Sequence, residues 1–135
     1  MPVIDWSKEF AVNIALCDVE HRRLFELLNK LYTAIMRRCT RGTLNHIVTD
    51  ILASAERHFE NEERLMRDYG YPAYEQHKGE HEKIARDVKS LAADFAGGNG
   101  IPKEDIALLP AKWLRDHIQV HDKEYTQYFN KRGVV

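Results

Sequence analysis

His58 and Glu62 stand four residues apart, and so do His77 and His81. On an α-helix such a pair shares one face, with Cβ atoms about 5–6 Å apart, so both side chains can reach common metal ions. His21 lies upstream of these pairs. His117, followed by His121 and Asp122, lies downstream. Imidazole and carboxylate donors without thiolate suit iron, manganese or similar ions. The chain has seven histidines and two cysteines, Cys17 and Cys39. Two thiols are too few for a disulfide framework or a cysteine-based zinc site, and both are expected to be ordinary reduced thiols.

The elements that must position these residues are helical from end to end. Val, Ile and Thr never alternate with polar residues over the length of a strand. Leu24, Leu27, Leu28, Leu31 and Ile35 recur at three and four, which predicts an amphipathic helix over about 18–40. Asp18 is its expected N-cap and Gly42 its expected terminator. A second helix, about 43–68, presents Leu44, Ile47, Ile51, Leu52, Ala55, Phe59, Leu65 and Met66, and Tyr69-Gly70-Tyr71-Pro72 ends it. A third, about 73–96, carries Ile84, Val88, Leu91 and Phe95 inward. After the loop Gly97-Gly98-Asn99-Gly100, Pro102 suits the first turn of a last helix over about 103–130. Pro110 conflicts with that helix, so either it kinks there or a short helix at 103–108 precedes a main one. The expected fold is all-α: residues 1–135 form one domain, an antiparallel up-down-up-down four-helix bundle, with residues 1–17 as an arm pinned by Trp6 and Phe10.

In an antiparallel hairpin, two residues share a level when their midpoint falls on the turn. His21 and His58 meet between Cys39 and Thr40, and His21 and Glu62 between Arg41 and Gly42. His58 with His81, and Glu62 with His77, both centre between Tyr69 and Gly70. His81 with His117 centres on Asn99, and His77 with Asp122 between Asn99 and Gly100. Each pair alone has a plainer reading as polar residues on a solvated face. Three midpoints that coincide with three independent turn signals favour one level of the bundle carrying five histidines and two carboxylates. Buried imidazoles without partners are costly, and a metal centre supplies the compensation.

The same arithmetic sets His46 aside, since it lies about 18 Å along the helix from His58. The last helix leaves a choice. His121 is four residues after His117 and shares its face. Asp122 is five after it, a rotation of about 140° in a regular helix, and reaches that face only through a π-bulge. Five imidazoles and two carboxylates exceed what one tetrahedral zinc can use and suit two bridged metal ions.

Composition restricts the remaining possibilities. Hydrophobic residues are 44% and charged residues 30%, and 20 basic residues face 21 acidic ones. A formal charge of −1 argues against nucleic-acid or membrane-surface binding by bulk positive charge. No apolar run approaches the ~18 residues of a membrane span, and no secretory signal is visible at the start. A cytoplasmic protein, with a monomer favoured, is the expectation.

The segments Asp18-Val19-Glu20-His21, His58-Phe59-Glu60-Asn61-Glu62, His77-Lys78-Gly79-Glu80-His81 and Trp113-Leu114-Arg115-Asp116-His117-Ile118, followed by Asp122, together resemble the hemerythrin-like domain family in its single-domain bacterial form. The resemblance spans nearly the whole chain and implies that Asp122, not His121, is the ligand. It implies two irons, one held by His77, His81 and His117 and the other by His21 and His58. Glu62 and Asp122 would bridge them, with an oxo or hydroxo group as third bridge. Dioxygen would take the open position on the iron of His21 and His58, in a pocket walled by Leu24, Phe59, Trp113, Leu114, Ile118 and Tyr125. Glu20, Glu63, Glu80 and Asp116 are candidates to orient the imidazoles. The implied function is dioxygen storage, transport or delivery, without enzymatic turnover. Two other readings stand beside it. One is oxygen, redox or iron sensing through a partner protein. The other is a di-iron oxidase, peroxidase or nitric-oxide reductase, although ferritin-like enzymes use more carboxylates and a Glu-x-x-His spacing.

Overall fold

The computed structural model describes residues 4–97 and 104–135. Helix α1 spans Ala15–Met36, α2 Arg41–Asp68, α3 Tyr74–Ala96 and α4 Asp105–His117. The chain then runs through a π-helical turn, Ile118–Asp122, and a 3₁₀ turn, Lys123–Tyr125, into a short α5, Thr126–Asn130. Among the described residues there is no strand. α1 packs on α2 and α4, and α3 packs on the same two helices. That is the expected antiparallel four-helix bundle, its core formed largely by the stripes that the three-four spacing predicts, although Ile84 and Val88, expected inward on α3, are only half-buried.

The first turn differs from the sequence-based expectation. Asp18 does not cap α1, which begins three residues earlier. Its Oδ1 instead accepts the Val12 N–H at 2.8 Å and holds the arm against the helix. Gly42 does not terminate α1 and lies in the first turn of α2. The chain reverses at Arg38, which takes a left-handed φ of 58°. Arg38 N–H donates to Ile35 O and Cys39 N–H to Ala34 O, both at 3.0 Å, the paired bonds that commonly close a helix around a glycine. Thr40 then caps α2 through its side chain, which accepts the Thr43 N–H. Gly70 behaves as expected. At φ 63° it closes α2, with Tyr71 N–H donating to Met66 O at 2.8 Å.

Pro110 lies inside a continuous α4, so no separate short helix precedes it. The ring is buried against the apolar interior, which offsets the hydrogen bond lost to the Ile106 carbonyl. The expected turn at Gly98-Asn99-Gly100 and the first-turn role of Pro102 lie outside the described residues. The arm ends three residues earlier than expected, where α1 begins at Ala15, and its described residues lie against the bundle. Trp6 packs on Phe10 and Phe25 with ring centroids 6.2 and 5.5 Å away, and Asn29 exchanges two hydrogen bonds with the Ile4 backbone.

Candidate metal centre

The bundle brings seven polar side chains into its interior. His21 comes from α1, His58 and Glu62 from α2, His77 and His81 from α3, His117 from the end of α4, and Asp122 from the end of the π turn. None is more than 4% exposed. Each occupies a position that the helical spacing otherwise gives to core residues. His21, for example, lies between Cys17 and Leu24 on the buried face of α1.

The two carboxylates divide the cluster. Glu62 Oε1 lies 2.9 Å from His77 Nε2 and 3.1 Å from His81 Nε2. Its Oε2 lies 3.0 Å from His58 Nε2 and 3.6 Å from His21 Nε2. Asp122 repeats the division. Oδ1 is 2.9 Å from His77 Nε2 and 3.0 Å from His117 Nε2, whereas Oδ2 is 3.0 Å from His21 Nε2. Two donor sets result: His77, His81, His117, Glu62 and Asp122, and His21, His58, Glu62 and Asp122. Within each, one donor atom per residue lies within 4.8 Å of all the others.

Most of these short distances are not hydrogen bonds. Both ring nitrogens of His21 and of His117, His81 Nε2 and both Asp122 oxygens are buried without a hydrogen-bond partner among the described residues. The separations are right and the alignment is not, because the donor atoms converge on shared points rather than on one another. Such orphaned groups are costly in a core unless another species satisfies them. Two hard-to-intermediate metal ions bridged by carboxylates fit this donor set, and thiolate chemistry is absent from it.

The electrostatics of the metal-free cluster are those of imidazoles beside carboxylates. Burial opposes the charged form of His58, but Glu62 and Glu20 outweigh it and push the pKa up to about 10. Burial likewise opposes charge on His77, and Asp122 and Glu62 push it up to about 9. Burial favours a protonated Glu62, yet His58, His21 and His77 hold it well below its ordinary range. Asp122 is raised by burial and by Glu62, but His117 and His21 prevail and keep it low.

Supporting contacts orient the rings. His58 Nδ1 is 2.9 Å from Glu20 Oε1, and Asn61 Nδ2 donates to the other Glu20 oxygen at 2.8 Å. His81 Nδ1 is 2.9 Å from Glu63 Oε2. Glu80 and Asp116, the other two candidates, do not reach the rings of the cluster. Glu80 lies 3.7 Å from His121, and Asp116 lies 3.7 Å from Lys112 and Arg115 on the surface. His121 stays outside the cluster and a quarter of its side chain is exposed. His46 is exposed beside Asp50.

The expected pocket residues divide. Leu24, Phe59 and Leu114 line an apolar cavity of about 40 Å³ that extends along the bundle past Leu28, Ile51 and Val88. Phe59 stacks on His81 with centroids 4.1 Å apart, which joins cavity and cluster. Trp113 is not among the residues lining it. One residue before Leu114, it is turned about 100° round α4 and faces an outer cleft with Glu80 and Asp116. Ile118 is fully buried in the core and does not line the cavity. Tyr125 also does not line it, and its hydroxyl donates to Glu62 Oε2 at 2.9 Å. Burial and the charges of Glu62 and Asp122 push that phenol well above its ordinary range, so it remains a donor. Sequence spacing overlooked this contact.

Comparison with known proteins agrees with this geometry. Residues 12–129 match the family model described as the hemerythrin HHE cation binding domain. A bacteriohemerythrin of Stenotrophomonas maltophilia is 29% identical over 93% of this chain and 80% of its own. One of Methylococcus capsulatus is 28% identical over 93% and 95%. A wild-type hemerythrin crystal structure superposes with a TM-score of 0.83 at 28% identity, covering 92% of this chain and 95% of the other. No described helix is long and apolar enough to cross a membrane. A bundle whose four helices each bring histidine or carboxylate to one buried level, matched over most of its length, places the chain in the hemerythrin HHE cation binding domain family.

Proposed function

We propose that the chain binds dioxygen reversibly at a di-iron centre and serves to store or deliver it. His77, His81 and His117 would hold one iron and His21 and His58 the other, with Glu62 and Asp122 shared between the two halves. A reduced iron pair held there would supply the two electrons that dioxygen takes up on binding.

The observation that carries this reading is the inequality of the two donor sets. The half with His77, His81 and His117 has five protein donors, and the half with His21 and His58 has four. With an oxo or hydroxo group as a third bridge, the smaller set would leave one position for a diatomic ligand and none for a second co-substrate. The apolar cavity supports the same reading. Leu24 and Leu114 stand three residues from His21 and His117 on their own helices, and Phe59 lies against His81. The cavity's one polar lining residue, Glu56, pairs with Lys89 at 2.7 Å, so such a wall admits a small apolar gas and brings few protons to it. Limited proton supply favours release of the ligand unchanged over its reduction.

Anaerobic reduction followed by addition of dioxygen tests the proposal through the visible spectrum. A band that forms with dioxygen and disappears on deoxygenation is expected, with two irons per chain by metal analysis. Continuous consumption of dioxygen and reductant, or one zinc per chain, would overturn it.

A further inference from the structure

We infer that Tyr125 is a positioning residue for one half of the centre, because its hydroxyl fixes the Glu62 oxygen that serves His21 and His58; the inference rests on the two-metal reading above. The hydroxyl donates at 2.9 Å to Glu62 Oε2 and not to Oε1. Oε2 is the oxygen 3.0 Å from His58 Nε2, whereas Oε1 faces His77 and His81. A single hydrogen bond therefore falls on one arm of a shared carboxylate.

The hydroxyl is itself held in place. Tyr125 is fully buried, and its ring packs on Phe129, His77 and Tyr71 with centroids 5.2, 5.7 and 6.4 Å away. It lies in the 3₁₀ turn that follows the π turn, so one stretch of irregular backbone sets both Asp122 and the group that steadies Glu62.

The hydroxyl has two opposed effects. It draws electron density from Oε2, which weakens that oxygen as a ligand, and it holds Oε2 in place, which strengthens binding. Removal of supporting partners of this kind lowers metal affinity about 10–100-fold, a net figure that includes both effects. Fixing the oxygen therefore dominates, and the loss should fall on the His21–His58 half alone.

The test is titration of the metal-free protein with Co²⁺, which needs no dioxygen. The wild type should take up two equivalents in two resolvable steps. In Tyr125→Phe, which keeps the ring and its packing, one step should be unchanged and the other weakened by about 10–100-fold. His58→Ala should abolish the step that Tyr125→Phe weakens. Equal weakening of both steps overturns the inference, as does no change in either, which is what a merely space-filling Tyr125 would give. One equivalent in the wild type would overturn the two-metal reading itself, and this inference with it.

Discussion

Asp122 follows His117 by five residues, yet its Oδ1 lies 3.0 Å from His117 Nε2. A regular helix would turn the two apart by about 140°. The π-helical turn Ile118–Asp122 widens the backbone by one residue and returns Asp122 to the face of His117. The same turn carries His121 outward to Glu80. An irregular segment of backbone thus decides which of two adjacent polar residues joins the cluster.

The two residues should respond oppositely to replacement. Asp122→Ala removes donors to both halves, and metal content should fall clearly below two per chain. His121→Ala should leave it at two. Metal analysis after reconstitution with excess Fe²⁺ checks both, and loss of metal from the His121 variant would contradict the placement of the π turn.

Much of this arrangement was legible in the sequence because helix geometry is periodic. Midpoints between His21, His58, His81 and His117 could be compared with turn signals that owe nothing to the histidines. The first turn was mislocated because Arg38, not a glycine, adopts the left-handed conformation, and nothing local marks an arginine for that role. Even so, the level came out right, since the midpoint of His21 and His58 depends on helix lengths and not on which residue makes the turn. Trp113 and Leu114 could not be told apart by residue type, because an aromatic and an aliphatic neighbour both suit a buried wall. Only the 100° step between them sends one to the cavity and the other to the outer cleft. The contact of Tyr125 with Glu62 spans 63 residues, and no periodicity reports such a pairing.

The orienting carboxylates separate into two that reach an imidazole of the cluster and two that do not. Glu20 meets His58 Nδ1 and Glu63 meets His81 Nδ1, both at 2.9 Å. Glu20→Gln and Glu63→Gln should each lower metal affinity by about 10–100-fold. Glu80→Gln and Asp116→Asn should leave it unchanged. Competition with a chelator of known affinity measures all four, and equal losses across the set would remove the distinction.

The apolar wall makes a separate prediction about persistence of the reduced protein in air. Leu24 is 2% exposed and lines the cavity. Leu24→Gln brings an amide donor to that wall and should speed conversion of the reduced protein to the oxidised form. Two metals should still bind, while burial of the amide costs about 1–3 kcal/mol of stability. Spectra followed after mixing reduced protein with air give the rate. An unchanged rate at full metal content would remove the proton-exclusion argument.

Acidity should act in opposite directions on the metal-free fold and on metal uptake. His58 and His77 have pKa values pushed up from 6.5 to about 10 and about 9 in the folded, metal-free protein. Their protonation therefore contributes stability that is complete below pH 6.5 and is lost as pH rises through 9 to 10. Glu62 and Asp122 are shifted the other way, from ordinary values of 4.5 and 3.8. Their contribution is complete above those values and is lost as pH falls through the lowered folded ones. The metal-free protein should accordingly be most stable between about pH 4.5 and 6.5, and chemical denaturation across pH 4 to 10 measures this. Metal ions require neutral imidazoles, so loading must expel these protons, and apparent metal affinity should climb from pH 6.5 towards 9. A metal-free protein that gains stability over that same interval would show that the histidines of the cluster are not protonated in the folded chain.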